Sequence, residues 1–187
     1  MTPKVITPRA SPVIAVADLK AHLRVTHASE DTLIASYLEQ ACAWAQNYSQ
    51  VTIGPQTLEL ALDAFPTGAI ELPYGLVTAL TSVKYRDTAG TLITLDPSNY
   101  ALNDYADPAV CHLTYGSTWP QTREITNAVL VRYAAGATAL HDGIRSALLL
   151  TVGHLYANRE SVNVGNIVSK MPLSAEAMLD SVKIWSM

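Results

Sequence analysis

The chain has 187 residues, 49% of them hydrophobic and only 15% charged, against about 25% charged in a typical soluble domain. That balance excludes a disordered chain, fits one domain or one domain with an insertion, and supplies a core without disulfide or metal staples. The net charge of −4, with its 12 Lys and Arg scattered, argues against a protein whose main task is gripping nucleic acid.

The first elements read as follows. Residues 1–12 carry Pro3, Pro8 and Pro12 and read as an irregular arm, either frayed or packed on a neighbouring subunit. Residues 16–25 predict a short helix with Leu19 and Leu23 on one face. Ser29 is the expected N-cap of a second helix, with Glu30 and Asp31 suited to its positive end. Leu33, Ile34, Tyr37, Leu38, Ala41, Cys42 and Ala45 then recur at helical spacing to about Gln50.

Gly54-Pro55 breaks the pattern, and a β-rich block is predicted from 52 to 135. Its strands are expected at 57–63, 69–73, 81–87, 91–95, 100–102, 111–115 and 128–133. A short loop ending at Gly90 joins two of them as a hairpin. Asp142 is the expected cap of a helix over 143–158, 159–170 reads as a loop, and Ser174 is the expected cap of a last helix over 175–182.

The predicted fold class is α+β. A small helical bundle from 1–51 and 136–187 carries an inserted block, 52–135, of short antiparallel strands. The terminal helices are too short to bury their faces alone, so the economical solution packs them together.

Nothing in the sequence singles out a catalytic centre. His22, His27, His112, His141 and His154 lack metal-ligand spacing, so no metal is expected. No phosphate-binding glycine loop and no hydrolase elbow is present, so no cofactor is expected. Cys42 and Cys111 read as small buried hydrophobes. The carboxylates fall at strand ends and turns, where Asp is favoured for local reasons. A small enzyme with an unrecognised carboxylate site stays as an alternative.

No long apolar run opens the chain, and no stretch reaches about 18 apolar residues. Neither a signal peptide nor a membrane span is expected, and a cytoplasmic protein is the default. Nine Tyr and three Trp against one Phe is a skew toward rings with a polar tip. Such rings suit interfaces as well as ordinary sheet packing. The apolar ending Ile184-Trp185-Ser186-Met187 suggests docking onto the bundle or onto another chain.

The ordered series of motifs resembles the tailed-bacteriophage head–tail connector (head-completion adaptor) family. Asp18-Leu19-Lys20-Ala21-His22-Leu23-Arg24-Val25 is similar to its opening helix, and Leu33-Ile34-Ala35-Ser36-Tyr37-Leu38 with Ala41 to its second. Gln56–Leu60, Ile70-Glu71-Leu72-Pro73, Ser82–Asp87 with Gly90, Val131-Arg132-Tyr133-Ala134-Ala135-Gly136, the helix of Ala147–Leu150 with Asn158-Arg159-Glu160, and Pro172-Leu173 follow in family order. The tail departs from the pattern, which often closes with a basic residue.

The resemblance implies a non-enzymatic ring of generally twelve copies below the portal of a virion, made in the bacterial host cytoplasm. Such a ring extends the DNA channel, passes DNA without sequence-specific binding, and docks the tail. Its implied partners are the portal protein, a tail-completion or stopper protein, and other copies of itself. A neck or tail-completion protein at another level of the stack is the alternative. Expected portal-docking residues are Arg159, Glu160, Lys170, Met171, Leu173 and Trp185. Expected subunit or tail contacts are Leu19, His22, Arg24, Lys84, Tyr85, Arg86 and Leu92.

Overall fold

The computed structural model describes residues 2–159 and 173–184. The architecture is α+β, and the chain divides into two compact units. The helical unit gathers Ala10–Ile53 and Thr138–Lys183, and the β unit gathers the chain up to Arg9 with Gly54–Ala137.

The helical unit holds α1 (Val16–Leu23), α2 (Asp31–Ser49), α3 (Asp142–Ala157) and α4 (Leu173–Asp180). Helix α2 buries Ile34, Leu38, Ala41, Cys42 and Ala45, and α3 buries Ile144, Ala147, Leu148 and Val152. These stripes face one another, α4 adds Ala175 and Leu179, and α1 adds Leu19. Each fully buried aliphatic chain contributes about 1.5–3 kcal/mol, so the faces rather than intrinsic propensity hold these helices. Lys20–Asp31 (2.8 Å) ties α1 to α2, and Arg145–Asp18 (2.9 Å) ties it to α3. Helix α1 stops where Arg24 takes a left-handed conformation, φ 58°.

The helix starts differ from the sequence expectation. Glu30 rather than Ser29 stands at the head of α2, because the Ser29 hydroxyl bonds His27 Nδ1 (2.8 Å). His141 caps α3, its Nδ1 accepting from the Gly143 amide (3.2 Å), while Asp142 lies inside the helix. Ser174 lies inside α4, which begins at Leu173. The loop expected over 159–170 lies, past Arg159, outside the described residues.

The β unit contains two antiparallel sheets. The larger runs in the order β1 (Lys4–Thr7), β2 (Gln56–Leu62), β8 (Val129–Ala135), β4 (Val77–Arg86), β5 (Leu92–Thr94). The smaller runs β3 (Ile70–Glu71), β7 (Val110–Leu113), β6 (Tyr100–Asn103). Strand β8 is central and alternates cleanly: Val129, Val131, Tyr133 and Ala135 are buried, and the residues between them are half-buried. Its inner face meets Leu58 and Leu60 of β2, Val83 of β4 and Cys111 of β7 in one core. On its other face Arg132 sits opposite Glu59, with Nε and Nη2 both donating to Glu59 Oε2 (3.0 and 2.7 Å).

Two strands depart from expectation. The arm expected to be irregular forms β1, an exposed edge strand paired with β2 across a register shift between Val5 and Thr7. Strand β4 begins at Val77 instead of 81, because β8 pairs along its whole length through two register shifts. Burial pushes the Cys111 thiol up to about 12, which leaves it an inert apolar filler.

Candidate functional site

Among the described residues two clusters of chemistry-bearing side chains stand out, one in each unit. In the helical unit, Glu30 at the head of α2 meets the end of α3. Arg159 Nη2 donates to Glu30 Oε1 (2.8 Å), and the Tyr156 hydroxyl donates to Glu30 Oε2. The Arg159 guanidinium also stacks over the Tyr156 ring at 4.7 Å, and His27 Nε2 stands 3.9 Å from Glu30. The Tyr156 hydrogen bond, then Arg159, holds the Glu30 carboxyl below the usual carboxylate range. The same bond raises the Tyr156 hydroxyl. One carboxylate satisfied by a phenol and a guanidinium is a structural clamp.

That geometry gives Arg159 an internal partner. Leu173, the first residue of α4, is 77% exposed and free to meet another surface. Glu160, Lys170, Met171 and Trp185 lie outside the described residues. Of the expected subunit or tail contacts, Leu19 is fully buried, so it is part of the helical core instead of a contact surface. His22 is exposed on α1, and Arg24 is exposed where it ends that helix. Lys84, Tyr85 and Arg86 follow one another on β4, and Leu92 is exposed on β5 opposite Arg86.

The second place, in the β unit, is a groove of about 800 Å³. It is lined by Ala64 and Phe65 after β2, Thr88 at the β4–β5 tip, and Trp119 to Glu124 before β8. Phe65 and Trp119 stack with centroids 4.7 Å apart and planes at 6°, and Tyr85 tilts onto Phe65 at 5.8 Å. Trp119 Nε1 donates to the Gly68 carbonyl (3.0 Å), the Asn127 amide to Asp63 (2.8 Å), and the Arg123 amide to the Arg86 carbonyl (3.0 Å). These bonds tie Trp119 and the segment from Arg123 to Asn127 to the strands around them.

Two guanidiniums meet at the rim. Arg86 Nη1 donates to the Gly90 carbonyl (3.2 Å), and Arg123 Nη1 packs against Gly90, where an added Cβ would lie 2.4 Å from it. Arg132, Arg145 and Arg159 each have a carboxylate partner, whereas no ion pair with a described residue engages Arg86 or Arg123. Two guanidiniums against the one lining carboxylate, Glu124, beside an aromatic wall suit an acidic or aromatic protein surface. Tyr85 and Arg86 are among the residues expected from the sequence, and Phe65, Trp119 and Arg123 are not. The only sequence signal was Trp119-Pro120 in a long connection, and its stacking partner is far away in the chain.

No group of three or more His, Cys, Asp or Glu that could hold a metal occurs among the described residues. Nor is any described helix long and apolar enough to cross a membrane.

Residues 13–91 match the family model of the phage gp6-like head–tail connector protein. The helical motifs and the strands that carry the resemblance up to Gly90 fall inside that span. No curated protein matches the chain. Among solved structures, a chain of the virion of a native gene transfer agent (GTA) particle superposes with a TM-score of 0.82 at 20% identity. A chain from the neck of the empty GTA particle, computed with C6 symmetry, gives 0.81 at 20% identity. One from the neck of the native GTA particle, computed with C12 symmetry, gives 0.79 at 22%. Each comparison covers 100% of this chain and 97% of the other. At such identities the likeness is one of fold, and it extends over both units.

Proposed function

We propose that this chain is a head–tail connector subunit. Copies form a ring in the neck of a tailed-phage-like particle, below the portal, extending the DNA channel and docking the tail. The observation that carries the reading is the connector-family match over residues 13–91, joined to a fold likeness with neck proteins over the whole chain. The chemistry fits. The reading is of a structural, non-enzymatic subunit, and the family match and the likeness to neck chains support it. The net charge of −4 suits a channel through which DNA slides without sequence-specific binding. The C12 and C6 symmetries with which two similar necks were computed support a ring. In this reading it is a dodecamer, with the portal and a stopper or tail-completion protein as its partners. The surface through which it meets the portal includes the exposed Leu173 at the start of α4.

The test is the mass of the purified protein by light scattering over a range of concentrations, alone and with purified portal, with negative-stain imaging of the same samples. A closed ring of about a dozen copies, in solution or on the portal, is expected. A monomer that neither closes nor binds portal overturns the reading.

A further inference from the structure

The β unit carries a knob as well as a groove. The β6–β7 turn reads Asp104-Tyr105-Ala106-Asp107. Tyr105 is 98% exposed, and Asp104 and Asp107 beside it are exposed too. A tyrosine ring held in water between two carboxylates does nothing for its own fold. Its amide is turned by the Asn103 side chain (3.1 Å), which shapes the turn that presents it.

Knob and groove lie at opposite ends of the same small sheet. Strand β3 pairs Ile70 with Cys111 and Glu71 with Val110, and the Leu72 amide bonds the Ala109 carbonyl at the turn end. Gly68, which accepts from Trp119, therefore lies toward the Leu113 end. One chain cannot fill its own groove with its own Tyr105.

We propose that Tyr105 of one copy seats against the Phe65–Trp119 wall of the next copy, with Asp104 and Asp107 facing Arg86 and Arg123. Charge complementarity selects the occupant. Arg123 lines the groove and Arg86 stands beside it at Gly90, two guanidiniums without carboxylate partners among the described residues against one lining carboxylate, Glu124, and the turn supplies two carboxylates around an aromatic anchor. Because the two surfaces differ, the contact is head-to-tail, and repetition closes a ring when the rotation permits. A small contact of this kind loses much of its gain to the freedom lost on association. It therefore forms best where a template already holds the copies in line. The proposal rests on the ring reading above and names one of its joints.

The experiment joins Tyr105→Cys with Gln121→Cys, an exposed position on the groove. The native Cys42 and Cys111 are buried and stay silent. Mild oxidation of the double variant, assembled alone and on purified portal, is read on a denaturing gel beside both single variants. A ladder of multimers from the double variant alone is expected. Tyr105→Ser is expected to raise the concentration needed for assembly about tenfold or more. The pair Arg86→Glu and Arg123→Glu should abolish assembly, and adding Asp104→Arg and Asp107→Arg should restore it. Should the arginine pair fail to fold by circular dichroism, the knob variants and the ladder still decide. A ring that assembles without a ladder and ignores Tyr105→Ser overturns this joint and leaves the ring reading standing. A cross-linked dimer with nothing larger overturns the head-to-tail geometry. No ring on or off the portal overturns the joint and the ring reading together.

Discussion

Replacing Tyr133 with Phe tests how the β unit holds its most contorted turn. Tyr133 is fully buried on β8, and its hydroxyl donates to the Pro73 carbonyl at 2.7 Å. Pro73 opens a turn in which Tyr74 and Leu76 both take positive φ, 58° and 62°. Left-handed backbone costs about 1–2 kcal/mol at a residue with a side chain, so neighbours must hold it in place. Two bonds from the end of β8 do so: the Tyr133 hydroxyl to Pro73, and the Gly136 amide to the Leu76 carbonyl (2.9 Å). Losing the hydroxyl removes about 1 kcal/mol of net hydrogen bonding, and a Pro73 carbonyl left dry raises the loss toward 3 kcal/mol. Urea unfolding followed by circular dichroism measures that loss, and hydrogen exchange over residues 70–80 locates it. Burial, then nearby Tyr74, raises the Tyr133 hydroxyl well above the ordinary tyrosine value of about 10. The neutral phenol is thus favoured in the fold. Its contribution is complete below about pH 10 and is lost as pH rises toward the folded value. Tyr133→Phe should accordingly lose less stability than the parent above pH 10. A loss under about 0.5 kcal/mol with unchanged exchange at 70–80 refutes the reasoning, since that is the range of an inert surface change.

Leu148→Ala, at a fully buried site on α3, should cost about 2–5 kcal/mol by urea unfolding and loosen the helical unit first in hydrogen exchange. Gly90→Ala should destabilise the β4–β5 hairpin by about 1 kcal/mol, because φ is +92°, while the Arg123 guanidinium tip can swing away from the new Cβ. Glu30→Gln should flatten the acid limb of stability. The folded carboxyl lies below its unfolded value of about 4.3, so its contribution is present above that pH and vanishes as pH falls through the folded value. Denaturant midpoints measured between about pH 2 and 6 check this, and identical acid limbs in parent and variant count against the clamp.

The legible parts of the fold are those whose signal is local. Helix α2 repeats its apolar residues at helical spacing, and β8 alternates strictly, so both are read with nearly their true bounds. Strand β1 was not legible because Pro3 and Pro8 bracket only four residues, and β2 supplies their partner from over fifty positions away. The caps failed for a related reason. Ser29 is a good cap by type, but a histidine two residues before it takes the hydroxyl first. The first turn of β4 lacks alternation, and its pairing with β8 runs through irregular register. The groove depends on Phe65 and Trp119 meeting across the β unit, which no spacing rule encodes. The surplus of tyrosine pointed to interfaces, yet only the structure separates buried Tyr133 from fully exposed Tyr105.

The end of α3 was expected to meet the portal directly through Arg159, and the clamp on Glu30 gives that residue a second way to matter. By holding the last turn of α3 against the head of α2, it fixes the point from which the chain continues toward α4. Two variants separate the roles. Arg159→Ala removes the guanidinium, whereas Glu30→Gln keeps it and weakens its anchor. If Arg159 touches the portal itself, Glu30→Gln frees it and portal binding is kept or strengthened, while Arg159→Ala loses it. If Arg159 positions the exit, both variants weaken binding together and both speed hydrogen exchange at the end of α3. The geometry favours the second outcome, because a guanidinium already bonded to a carboxylate and stacked on Tyr156 would have to forfeit both contacts to reach a new partner. Equal portal affinity for the parent and Glu30→Gln, with Arg159→Ala inert as well, would remove this end of α3 from the docking surface.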